Sequence, residues 1–155
     1  MILLKRTFDY ELVKRIVTHH EVYPWLSDDG SPPPEEWHAI QHEAMYYVLV
    51  ERDGEPVGVL MFTPQNSVCY EGHTALLPEV WGQGAEIGAM AAAWLFENSP
   101  CQRLIGNAPM FNPRALQYAR SAGMEPFGVN AKSYLKHGVL YDQIVLGMSK
   151  EDRCR

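Results

Sequence analysis

The segment "YEGHT", residues 70–74, sets a carboxylate and an imidazole two positions apart. Residues two apart on an extended strand project from one face, which makes Glu71 and His73 neighbours in space. Either group can take a proton from a nucleophile. An ionisable pair on a covered strand is costly unless it has a task or a partner. "HAIQH" places His38 and His42 four apart, the spacing of two ligands on one helix face, but it lacks the Glu of HExxH and has no third ligand. That pair reads as a solvated or substrate-lining face, and no metal is expected.

A second cluster is built from absence of side chains. "LPEVWGQGAEIGAMAAAWLFEN", residues 77–98, opens a helix with Gly82 and Gly84 and adds Gly88 a turn later. Each helical glycine costs about 1 kcal/mol relative to alanine. A strand-to-helix turn presents unpaired N–H groups at the positive end of the helix dipole, and bare glycines let a large anion reach them. The GK[ST] of a Walker loop is missing, and "GQGAEIG" has its third glycine one residue late for a dinucleotide fingerprint. Close packing offers another account, since Gly84, Gly88 and Ala92 share a face suited to a helix pressed on a sheet; it explains Gly88 but not Gly82.

The elements that must hold these groups follow from periodicity and turn chemistry. "ILLKRTF" predicts a strand and "DYELVKRIVTHH" a helix, with His19 and His20 near its negative pole. "EVYPWLSDDGSPPPEEW" is a loop whose "SPPPEEW" opens a second helix. "MYYVLVERDGEPVGVLMFTP" is a hairpin about "DGEP", and "SVCYEGHTALL" is a strand leading into a helix over 84–97. "RLIGNAP" is a buried strand, and "NPRALQYARSAG" a helix from Pro113 to Gly123; "MEPFGVN" and "HGVLYDQIVLGMSK" close the chain as strands. The order β-α-α-β-β-β-α-β-α-β-β implies one mixed α/β sheet.

The 155 residues suit one domain, and 46% hydrophobic with 21% charged residues describe an ordinary globular chain. A formal charge of -6 supplies no basic surplus for nucleic acid or an anionic membrane. Cys69, Cys101 and Cys154 are widely spaced and form no CxxC pair, so neither a disulfide framework nor a zinc site is indicated. With no secretion signal and no long apolar run, a reducing cytoplasm is the expected setting.

"EVWGQGA" at the glycine turn resembles the [RQ]xxGx[GA] coenzyme A loop of GNAT-type N-acetyltransferases, with Glu79 in place of Arg or Gln. The variant "PEVWGQG" is similar to the branch that acetylates protein N-termini. "NPRALQYARSAGM" resembles the family's NxxA…GF block, with Asn112, Ala115 and Gly123 in step and Met124 replacing Phe. The loop at 23–37 also resembles that of GNAT-like proteins encoded by tailed phages. The resemblance implies a GNAT fold over 1–150, with 151–155 as a tail. Its single, mostly antiparallel sheet of six or seven strands would be flanked by about four helices and splayed between strands four and five.

The resemblance also implies acetyl-CoA as the acetyl donor. Its pantetheine arm would lie along Leu76, Leu77 and Pro78, with its diphosphate over Trp81, Gly82, Gln83, Gly84, Ala85 and Glu86, and with Asn112 and Arg114 nearby. A strand N–H between Thr74 and Leu77 would face the carbonyl oxygen. The acceptor is a primary amine, whose pKa of about 10 requires a base, Glu71 or His73. The loop between the first two helices offers Tyr23, Trp25, Asp28, Asp29 and Trp37 to an amine cation. The tyrosine common seven residues after the motif asparagine is Ala119 here; Tyr118 should point elsewhere by about 100°, leaving Tyr134, Tyr141 or solvent as proton donors. The reading is an N-acetyltransferase acting on a small-molecule or peptide amine in a ternary complex. Its rivals are a catalytically weak acyl-CoA binder or assembly protein, favoured by Glu79 and Ala119, and an unrelated α/β binding module. The strand "VLYDQIVLGM" is available to a homodimer.

Overall fold

A computed structural model describes residues 1–153. Cys154 and the last residue of the expected tail lie outside the described residues. The strands are β1 (Ile2–Arg6), β2 (Tyr46–Arg52), β3 (Glu55–Pro64), β4 (Cys69–Leu76), β5 (Arg103–Pro109), β6 (Glu125–Lys136) and β7 (Val139–Ser149). They form one sheet in the order β1-β2-β3-β4-β5-β7-β6, antiparallel throughout except for the parallel β4–β5 pair. The helices are α1 (Tyr10–Val17), α2 (Tyr23–Leu26), α3 (Gly84–Asn98), α4 (Pro113–Ser121) and α5 (Lys150–Arg153).

Strand alternation divides the core into two layers. Val48, Val50, Leu60, Phe62, Tyr70 and Leu76 join α3 in one cluster, while Tyr47, Leu49, Val59, Met61 and Ala75 join α1 in the other. Along β4, even-numbered residues therefore face the α3/α4 layer and odd-numbered residues face the α1/α2 layer. Glu71 and His73 share the second face.

The expected hairpin closes through Asp53 and Gly54, both at positive φ, with Arg52 paired to Glu55. Gly123 follows α4 at φ 101°, a conformation that stops a helix without side-chain strain. The second expected helix is absent. "PEE" makes only a 3-10 turn over Pro34–Glu36, and Trp37 is already extended. A run of three prolines supplies no internal N–H donors, and "EEWHAIQHE" has no apolar stripe at helical spacing. A single turn, α2, forms earlier instead, inside the expected loop. His38 and His42 accordingly share no helix face; His42 Nδ1 accepts from the Ala44 N–H at 3.0 Å. His19 and His20 lie beyond α1, which ends at Val17, and stack on one another with centroids 4.6 Å apart.

The C-terminal strand β7 sits between β5 and β6, so its edges are both filled. The edge strands are β1 and β6, and Phe127 and Val129 are exposed on β6. No helix among the described residues is long and apolar enough to cross a membrane.

Candidate active site

The site begins where pairing fails. β4 and β5 pair only at Cys69–Arg103, Tyr70–Leu104 and Glu71–Ile105. Beyond Ile105, β5 continues along β7 as far as Pro109, while β4 stays with β3 to Leu76. A gap therefore opens after Glu71. The Leu77 N–H donates to the Val57 carbonyl at 2.8 Å, which fixes the hydrogen-bond phase of the β3–β4 ladder. Odd-numbered β4 residues turn their N–H and C=O groups toward β3; Gly72, Thr74 and Leu76 turn theirs into the gap. The donors facing the gap are thus narrowed to alternate residues, and Leu77 is already committed.

A cleft of about 730 Å³ fills this gap. Leu76, Trp81, Gly82, Gly84, Ala85, Asn112 and Arg114 line it, whereas Leu77, Pro78, Gln83 and Glu86 do not. The segment Pro78–Gln83 is a 3-10 turn pinned to β2 by Arg52, whose guanidinium donates to the Glu79 carbonyl at 3.0 Å and to Gln83 Oε1 at 3.1 Å. Trp81 folds back so that its indole N–H donates to the Leu76 carbonyl at 2.8 Å. Asn112 precedes the first turn of α4, and the Arg114 guanidinium lies over the Trp25 ring at 5.1 Å and the Trp81 ring at 5.4 Å.

The three glycines divide into two kinds. A Cβ on Gly82 would meet nothing within 4 Å. A Cβ on Gly84 would stand 3.3 Å from Tyr118, and one on Gly88 would stand 2.9 Å from Ala122 Cβ and 3.1 Å from Tyr118 Cζ. Packing thus accounts for Gly84 and Gly88, but against α4 rather than the sheet, and Gly82 is left bare toward open space. Those two glycines also explain why Tyr118 does not point away. With no side chains on α3 to obstruct it, the ring lies across the helix, lines the cleft and places its hydroxyl 3.1 Å from Thr74 Oγ1, which donates to it. Burial raises the Tyr118 pKa, with the Thr74 hydrogen bond opposing. Ala119 is buried in the core beside it.

At the far end of the cleft, Glu71 Oε1 lies 3.0 Å from His73 Nε2. Asn107, on the facing stretch of β5, donates through Nδ2 to the other carboxylate oxygen. The His73 hydrogen bond above all, helped by its charge and by Asn107, holds the Glu71 carboxyl below its ordinary range although burial acts against it. An anionic Glu71 can only accept, so the shared proton is assigned to His73 Nε2, leaving Nδ1 as an acceptor. Nothing in the sequence marked Asn107; the signal is visible only once β5 lies alongside β4.

The loop residues separate by task. Trp25 lines the cleft and stacks on Phe111 at 5.9 Å, and Phe111 stacks on Tyr134 at 5.4 Å. Tyr23 donates to the Pro32 carbonyl and, with Trp37, lines a separate hollow of about 140 Å³ that His73 also touches. The Asp28 carboxylate accepts from the Gly30 N–H and the Ser31 hydroxyl. The Asp29 carboxylate accepts from the Gly138 and His137 N–H groups at 2.8 Å each, which lower its pKa. Lys136, 7% exposed, donates to the Pro24 and Ser27 carbonyls, so the whole loop is buttoned to the β6–β7 hairpin. Tyr134 likewise donates to the Ser27 carbonyl.

A model of the acetyltransferase (GNAT) family matches residues 11–124. The chain belongs to this family. The fold agrees: spermidine N-acetyltransferase from Vibrio cholerae, solved with CoA and spermine, superposes with a TM-score of 0.82 at 13% identity over 99% of this chain and 98% of that one. Ribosomal-protein-S5-alanine acetyltransferase from Vibrio fischeri gives a TM-score of 0.73 at 17% identity over 97% and 93% of the two chains. An acetyltransferase of the GNAT family from Bacillus anthracis gives 0.73 at 16% identity over 97% and 95%. No curated protein matches the sequence. As a GNAT acetyltransferase the chain is an enzyme of the acyltransferase class, with acetyl-CoA as the family's acyl donor. Its cleft fits that donor, offering an unobstructed Gly82 backbone at one end and an unpaired strand edge along its length.

Proposed function

We propose that this GNAT enzyme passes an acetyl group from acetyl-CoA directly to a primary amine on a small molecule or peptide. The observation that carries the reading is the unpaired β4 edge, open at Gly82 and ending at the Glu71–His73–Asn107 cluster. The gap-facing groups of Thr74 and Leu76 hold the coenzyme arm as an added strand would, once the Trp81 indole leaves the Leu76 carbonyl. The first-turn N–H groups of α3 and the Arg114 guanidinium take the diphosphate. Bound there, the donor supplies an activated thioester.

His73 acts as the base, its Nδ1 receiving the amine proton while Glu71 fixes the ring and stabilises the imidazolium. Both Glu71 oxygens are engaged, which removes it from the first proton transfer and makes it the orienting partner. A gap-facing N–H of Thr74 or Leu76 meets the charge that develops on the carbonyl oxygen. Tyr118, kept protonated by burial, supplies a proton to the departing sulfur.

The acceptor carries few positive charges. Glu21 and Glu71 are the carboxylates that line the cleft; Asp28 and Asp29 do not line it, and Asp29 is held by the His137 and Gly138 N–H groups. This favours a single amine on an aromatic or apolar body lying against Trp25 over a polyamine such as spermine. A homodimer would form through the β6 edge. Acetyl-CoA titration by calorimetry, followed by CoA thiol release across a panel of monoamines, polyamines and peptide N-termini, tests the reading. Binding with no release across the panel would favour a coenzyme-binding assembly protein instead.

A further inference from the structure

We infer that the donor site accepts acyl groups longer than acetyl, with butyryl fitting better than acetyl; the inference rests on the acetyl-CoA reading above. One cleft is lined from β4 by Gly72, Thr74 and Leu76 and from α3 by Gly84, Gly88, Ala91 and Ala92. A coenzyme arm entering at Gly82 reaches Gly72 at the end of the gap, where β4 and β5 rejoin.

The space does not stop there. The cleft continues on the α3/α4 face into the core, where it is floored by Leu60, Phe62, Ala91, Ala92, Leu104 and Leu146. Each of these is at most 5% exposed. Gly72 and Gly106 add no side chain of their own here; Phe62 and Leu104 pack over Gly72, 3.3 and 3.4 Å from where its Cβ would stand, and Met124 packs 3.4 Å from that of Gly106. Ala119 adds no bulk from α4. The polar groups that handle the amine, Glu71, His73 and Asn107, all lie on the opposite face. An apolar floor beyond the thioester, with the Thr74 and Tyr118 hydroxyls on the same face bonded to each other, suits a hydrocarbon tail better than a polar one. The chemistry is unchanged: the amine nitrogen bonds to the acyl carbon, the carbon–sulfur bond breaks, and the amine's proton is balanced by the one that CoA sulfur gains.

Calorimetric titration of the intact protein with acetyl-, propionyl-, butyryl- and palmitoyl-CoA tests this. Affinity should rise about fourfold per added methylene up to butyryl and fall for palmitoyl, and butyryl-CoA should release thiol with an accepted amine. Gly106→Val, which adds bulk to the floor beside Met124, should erase the advantage of butyryl while keeping acetyl-CoA binding. Ala92→Leu is a second blocking variant, read by the same titration if folded. Acetyl-CoA binding as tight as butyryl-CoA overturns the inference and leaves the acetyltransferase reading intact. No heat with any thioester overturns both.

Discussion

Gly82 and Gly88 should fail in opposite ways when substituted. A methyl on Gly88 would stand 2.9 Å from Ala122 Cβ and 3.1 Å from the Tyr118 ring, both on a packed neighbouring helix. Overpacking of this kind costs about 1–3 kcal/mol, and the helical gain of alanine over glycine returns about 1 kcal/mol. Gly88→Ala should therefore lose up to about 2 kcal/mol, or roughly 4–8 °C in melting temperature for a chain of this length. Gly82 has open space where a side chain would go, so Gly82→Val should leave the melting temperature within about 2 °C. Its bulk would stand where the diphosphate must approach. Losing one hydrogen bond to a charged partner costs about 1.5–3 kcal/mol, a weakening of roughly tenfold to 150-fold in acetyl-CoA affinity. Differential scanning fluorimetry and calorimetry on the two variants separate the roles. If Gly82→Val binds acetyl-CoA as wild type does, the open mouth is not a phosphate site and the reasoning fails.

Four further outcomes follow from the site. His73→Ala should lower kcat by about a hundredfold or more with acetyl-CoA affinity unchanged, measured by steady-state kinetics alongside calorimetry. Asn107→Ala frees one Glu71 oxygen, so the Glu71 carboxyl should titrate nearer its ordinary value, visible as an upward shift of its carbon-13 NMR titration midpoint. The depressed Glu71 pKa means that its ionised form stabilises the fold above the ordinary carboxylate range. That stabilisation is lost as pH falls through the lower folded value, so the melting-temperature gap between wild type and Glu71→Gln should be widest near neutrality and close in acid. Trp81 must leave the Leu76 carbonyl for the coenzyme arm to bind there, so acetyl-CoA should change the tryptophan emission of wild type and do so less in Trp81→Phe.

Much of this was legible in the sequence because local chemistry and tertiary structure agree. The "DG" hairpin, the Pro113 helix start and the Gly123 stop are fixed by backbone conformations that few residues allow. Glu71 and His73 came from strand alternation alone, and they do share a face. The second helix failed because glutamates after prolines resemble a helix start, while the apolar stripe needed to hold a helix on the sheet is missing. Asn107 and Tyr118 were illegible for another reason. One needs the register of β5 against β4, and the other needs the two glycines that let its ring lie across α3. Asp28 and Asp29 looked like contacts for a cation, but neither lines the cleft: Asp28 Oδ1 accepts from the Gly30 N–H and the Ser31 hydroxyl, and both Asp29 oxygens accept from N–H groups of the β6–β7 turn, which no sequence pattern places there.

The most direct measurement follows isotopically labelled acetyl from acetyl-CoA in the presence of an amine that the panel identifies. Label should appear on the amine in step with free CoA thiol, with none retained on the protein and no thiol released when the amine is left out. Label held on the protein, or thiol release at an equal rate without amine, would contradict direct transfer within this cleft.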